Sequence, residues 1–136
     1  MSQSRKRVIP QYMGDLVNFE RLTSSKDKEF IRYRVLENHI TSDSYEDSLI
    51  LDCRLLERKL FHIKNKHASN AIHYKILGCT DPNFGWEELK AETSLAGDST
   101  TYEWDTEPWA YVKIQVKSAT SGASGIVDAY IVAQEG

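Results

Sequence analysis

Ala110-Tyr111-Val112-Lys113-Ile114-Gln115-Val116-Lys117 alternates apolar and polar residues without a break, the period of a β-strand with one buried face. The segments on either side repeat the pattern. Toward the C-terminus, Ser118 to Ser124 is a small-residue loop, and Gly125 to Val132 sets Val127, Ala129 and Ile131 on one face. These two segments read as a hairpin. Toward the N-terminus, Thr100 to Trp104 reads as a short strand and Gly97-Asp98 as a bend. Asp81-Pro82-Asn83 with Gly85 is a turn signature, and Trp86-Glu87-Glu88-Leu89 is read as one helical turn. Lys59 to Lys64 and Ala71 to Leu77 flank the polar cluster Asn65 to Asn70 and read as a second hairpin. Matching its apolar faces sets Ile63 opposite Ile72, Phe61 opposite Tyr74 and His62 opposite His73. Ser48 to Cys53 is a further apolar run, and Ile31, Tyr33 and Val35 alternate with Arg32 and Arg34. Seven or eight short strands with no long amphipathic helix predict an all-β fold, an antiparallel two-layer β-sandwich. Periodicity leaves immunoglobulin-like and jelly-roll topologies both open.

The sandwich is expected over residues 29–136, preceded by an extended N-terminal arm, mostly irregular, over residues 1–28. The arm holds Val8, Ile9, Tyr12, Met13, Leu16, Val17, Phe19 and Leu22, too much apolar surface for a free tail. It is expected to lie across a neighbouring subunit or along a sheet edge of its own domain. Charge is unevenly spread. Residues 1–34 carry eight basic residues against four acids, a net of +4, and the remainder nine against sixteen, a net of −7. A basic arm on an acidic body suits nucleic acid, suits docking onto the acidic face of another copy equally, and is read as well as a solvated tail; although the arm is basic, nucleic acid is not expected as a partner.

At 136 residues, 40% apolar and 27% charged, the chain has the composition of one globular domain able to bury a core unaided. No apolar run reaches the length of a membrane span or a signal peptide, so synthesis in a cytoplasm and no membrane partner are expected. Cys53 and Cys79 lack metal-ligand or redox spacing and are expected as buried free thiols.

A search for chemistry finds no catalytic residue, cofactor or metal site to assign. The histidines His39, His62, His67 and His73 show no ligand spacing. A His62 and His73 pair across the expected hairpin has Lys64 and Lys75 beside it and no carboxylate to complete a site. Glu87, Glu88, Glu92, Asp98, Glu103, Asp105 and Glu107 read as a solvated acidic surface without calcium-loop spacing. Trp86, Trp104 and Trp109 have two readings. As a flat platform they would take sugar rings, with carboxylates nearby for the hydroxyls. As packing and interface residues, Trp109 joins Tyr12 and Phe19 as a candidate anchor between subunits.

The phrases Lys59-Leu60-Phe61-His62-Ile63-Lys64-Asn65, Ala71 to Gly78 with Asp81-Pro82-Asn83, Ala110 to Ala119, and Gly125 to Ile131 resemble the small β-sandwich structural proteins of tailed-phage virions. These include head decoration or cement proteins and head-tail or tail accessory proteins. The resemblance implies a non-catalytic component located in the virion after synthesis in the host cytoplasm. It also implies a homo-oligomer bound to other virion proteins, such as a major capsid or tail protein. A carbohydrate- or cell-surface-binding module is the alternative.

Overall fold

A computed structural model describes residues 12–13, 18–23 and 29–135. The first strands are β1 (Tyr12–Met13), β2 (Asn18–Thr23), β3 (Glu29–Ile40), β4 (Glu46–Asp47), β5 (Ile50–Asp52) and β6 (Leu56–Asn65). They are followed by β7 (Ile72–Cys79), β8 (Glu87–Leu95), β9 (Ser99–Asp105), β10 (Tyr111–Ser118) and β11 (Ile126–Glu135). They build two antiparallel sheets, as the alternation predicted. Sheet A has the order β1-β5-β10-β7-β8, with β4 also on β10; sheet B has the order β2-β3-β11-β6-β9.

The pairings nest. β3 pairs with β11, β5 with β10, β6 with β9 and β7 with β8, so the chain is one long antiparallel ribbon whose bend is the turn after Cys79. Wound over itself, that ribbon is a jelly roll, which resolves the topology the sequence left open.

Neither expected hairpin forms. Asn65 to Asn70 carries the chain from sheet B to sheet A, and Ser118 to Ser124 carries it back. Ile63 therefore faces Ala129 and Thr101 within its sheet, and Ile72 faces Ser118 and Leu95. The apolar faces do meet, but across the sandwich. Their loops are held by each other: Lys66 N donates to Ile126 O at 2.6 Å, Ala119 N to Ala71 O at 3.1 Å, and Asn70 Nδ2 to Ser124 O at 3.0 Å. Buried Asn65 anchors the first crossing, its Nδ2 donating to the carbonyls of Asn70, Leu95 and Ala96 at 2.8, 3.3 and 3.2 Å. A Cβ on Gly125 would stand 2.4 Å from Ile72 Cγ2, so the crossings approach closely only because glycine is there.

The core between the sheets holds Ile31, Tyr33 and Val35 from β3, Phe61 and Ile63 from β6, Val112, Ile114 and Val116 from β10, and Val127, Ala129 and Ile131 from β11. Both cysteines are buried and free, and burial pushes the Cys53 thiol up to about 12. Trp86 to Leu89 forms no helical turn, since β8 begins at Glu87. Lys113 is not on a wet face either; it is buried under Trp86, with Nζ 4.4 Å from the ring and 2.9 Å from Asp47 Oδ2.

Residues 1–11, 14–17 and 24–28 of the expected arm lie outside the described residues. Its described parts are strands: Tyr12 and Met13 pair with Leu51 and Ile50, and β2 pairs along β3 from Arg34 to Glu29. The same stretch thus extends both sheets on one side of the sandwich.

Candidate functional site

Alternation fixes what each outer face displays. On sheet B the register aligns Tyr102, His62, Tyr130 and Arg34 in one row, and Trp104, Leu60, Val132 and Arg32 in the next. A third row holds Arg58, Gln134 and Phe30. In the first row His62 stacks on Tyr102 with centroids 4.4 Å apart and lies tilted to Tyr130 at 6.2 Å. Arg34 donates to the Tyr130 hydroxyl at 2.9 Å, and the Arg32 and Arg34 guanidinium carbons stand 4.8 and 5.2 Å from the Tyr130 ring centroid. Burial in this row, then the charges of Arg32 and Lys64, hold the His62 imidazole below its ordinary value. The row is a neutral aromatic ladder closed by cations.

The other two rows enclose a pocket of about 170 Å³ lined by Phe30, Arg58, Leu60, Trp104, Val132 and Gln134. Trp104, 69% exposed, forms one side, and Tyr102 beside it is 57% exposed. Gln134 is only 7% exposed, and its amide has no hydrogen-bond partner among the described residues. Arg58 and Lys64 have no ion-pair partner among them.

The outer face of sheet A is different because its charges answer one another. Lys75 pairs with Glu88 at 3.1 Å, Lys113 with Asp47 at 2.9 Å, and His73 and Lys117 approach Glu92 at 3.6 and 3.9 Å. Tyr45 caps this lattice, donating to Glu92 at 2.5 Å with Lys75 and Lys117 nitrogens 4.7 and 5.0 Å from its ring centroid. The Tyr45 hydroxyl, with His73, Lys117 and Lys75, holds the Glu92 carboxyl below the usual range. Such a face has satisfied itself.

The structure separates the three tryptophans. Trp86 covers Lys113 on sheet A, Trp104 stands on sheet B, and Trp109 packs against the core where Gly78 leaves room, 2.8 Å from where that glycine's Cβ would be. No single platform joins them. His62 and His73 lie on different sheets, and no group of three metal-ligating side chains occurs among the described residues. The side chains of Tyr12 and Phe19 lie outside the described residues. Tyr102, Tyr130, Arg58 and Gln134 were not singled out from the sequence. Parity with Trp104 along each strand would have found Tyr102, but the other rows need the true strand pairing.

One end of the sandwich has a character of its own. Tyr111 pairs with both Asp52 and Cys79, so the loops after β5 and β7 sit together at that end. They carry Leu55 and Phe84 exposed, the latter at 89%. Glu57, Asp81, Glu87 and Glu107 belong to the segments next to those loops and have no ion pair among the described residues.

No family model and no curated protein matches the chain. Among solved structures it is similar to a Bacillus endospore appendage pilus protein, at TM-score 0.52 and 7% identity, covering 92% of this chain and 98% of the other. It is also similar to the SPBc2 prophage-derived protein YomS, at TM-score 0.45, 12% identity, 92% of this chain and 100% of the other. A third is the CBM22-1 xylan-binding domain of Paenibacillus barcinonensis Xyn10C, at TM-score 0.39, 10% identity, 93% of this chain and 85% of the other. The first shares the β-sandwich fold. At that identity nothing beyond the fold follows, and the other two carry no argument.

Proposed function

We propose that this chain is a non-catalytic structural protein that assembles in many copies on a larger particle, such as a phage virion, by setting the basic N-terminal side of one copy on the acidic end of the next. The observation that carries this reading is that end itself, where Phe84 and Leu55 are exposed and the adjoining segments carry four acids with no ion pair among the described residues. Opposite it in sign is the segment of residues 1–34, with its net of +4. A contact between two different surfaces is heterologous, and such contacts build rings or filaments instead of closed dimers. Two things agree with repeated assembly without requiring it: the resemblance of the strand phrases to tailed-phage structural proteins, and a fold that also occurs in a pilus protein. Tyr12 and Phe19 are the proposed anchors on the N-terminal side, since a few aromatic residues tend to dominate an interface.

Sedimentation velocity over a concentration series tests this. The parent should form species heavier than the 15.6 kDa monomer, and more of them at low salt. Phe84→Ser, or Tyr12→Ala with Phe19→Ala, should shift the association constant by about tenfold or more, roughly 1.4 kcal/mol. A parent that stays monomeric throughout, or variants that associate unchanged, would remove the assembly reading.

A further inference from the structure

We infer that the pocket on sheet B, whose lining includes neither Leu55 nor Phe84 of the acidic end, binds one ring of an acidic saccharide. Its walls are Trp104, Phe30, Leu60 and Val132, and its polar groups are the Gln134 amide and the Arg58 guanidinium. That division matches a sugar ring, which has an apolar C–H face for an indole and a polar rim for hydrogen-bonding groups. Gln134 gives the second, independent observation. Its side chain is more than nine-tenths buried on the outer face of the sheet, and its amide has no partner among the described residues. The amide keeps solvent access at the pocket it lines, so a hydrogen-bonding guest there finds its donor and acceptor free.

Size and charge narrow the guest. A space of about 170 Å³ is below the usual range for drug-sized ligands and holds a single ring. Arg58 stands at the pocket without an ion pair among the described residues, and a guanidinium fork matches a carboxylate. A run of nucleobases would need successive open stacking faces. In the neighbouring row His62 is stacked on Tyr102 and tilted against Tyr130, and the pocket itself offers the single indole of Trp104.

The test is a titration of the full-length protein with tetragalacturonate and with sialyllactose, followed by tryptophan fluorescence and calorimetry. Lactose and adenosine monophosphate are the neutral and nucleotide comparisons. At least one acidic sugar should bind saturably, and Trp104→Ala and Gln134→Ala should each weaken it about tenfold or more while the thermal midpoint stays near the parent's. Arg58→Gln should reduce the acidic sugar to the level of lactose. The inference is overturned if neither acidic sugar binds, if lactose or the nucleotide binds as tightly, or if the Trp104 and Gln134 variants bind like the parent. Because Phe84 is not among the residues that line the pocket, assembly and sugar binding fail separately: Phe84→Ser can lose its own readout while sugar binding persists, and Trp104→Ala the reverse.

Discussion

Lys113 and Ile114 are chain neighbours on β10, and a carboxylate placed at either meets a different obstacle. Ile114→Asp buries an unpaired charge among core side chains that water does not reach. The cost is several kcal/mol, comparable to the whole stability of a domain, and the variant should be unfolded by circular dichroism. The alternation alone would make Lys113→Asp harmless. Because the side chain is covered by Trp86 and paired with Asp47, the substitution instead sets two carboxylates together under an indole. A loss of about 2–4 kcal/mol in urea unfolding is expected, less than for Ile114→Asp. A loss under about 0.5 kcal/mol would mean that Lys113 is an ordinary surface residue. His62 gives a pH dependence whose sign follows from its depressed value. Below the ordinary imidazole value of 6.5, the unfolded chain takes up a proton that the folded chain resists. Its contribution to stability is therefore complete above about pH 6.5 and declines as pH falls toward the lower folded value. Comparing the parent with His62→Gln at pH 7.5 and 5.5 should show a shallower decline in the variant; an identical decline would assign the dependence to other groups.

On the strands read from the sequence the buried face was legible, because parity fixes it: Val112, Ile114 and Val116 on β10, and Val127, Ala129 and Ile131 on β11, are all in the core. Partnership was not legible. Two apolar faces joined by a polar loop can pair side by side or meet across a sandwich, and alternation looks the same in both. What selects crossing here is detail within the loops, namely the three carbonyls bonded by Asn65 and the space Gly125 leaves for Ile72. Gly125→Ala should therefore cost about 1–3 kcal/mol, from overpacking against Ile72. Gly122→Ala is the control for crowding: its Cβ would meet nothing within 4 Å, so any loss there comes from its positive φ of 81°. Equal packing of both alanines, seen as unshifted Ile72 methyl resonances in each, would show that the crossings are looser than described. The expected helical turn at Trp86 failed for a related reason, since β8 takes Glu87 and Glu88 into pairing with Gly78 and Leu77.

Across the molecule, the fold class and the unequal charge could be read from the sequence, but the binding face could not. Trp104 was singled out as one of three candidate platform residues, whereas its neighbours Arg58, Leu60, Val132 and Gln134 come from β6 and β11, strands that local pairing would have placed elsewhere. Three tryptophans close in sequence suggested one platform, and winding the ribbon put them in three environments. The pocket and the aromatic ladder both depend on β6 lying beside β9 and β11 instead of β7. Paired cysteines measure that directly, because a disulfide closes only when its Cα atoms lie within about 4.4–6.8 Å. The native thiols, both buried, with Cys53 raised to about 12, stay out of the reaction. Under mild oxidation of the folded protein, His62→Cys with Tyr102→Cys should form an intramolecular bond seen by peptide mass spectrometry, while His62→Cys with His73→Cys should not. A bond between positions 62 and 73, with none between 62 and 102, would contradict the topology and with it the face from which binding is argued.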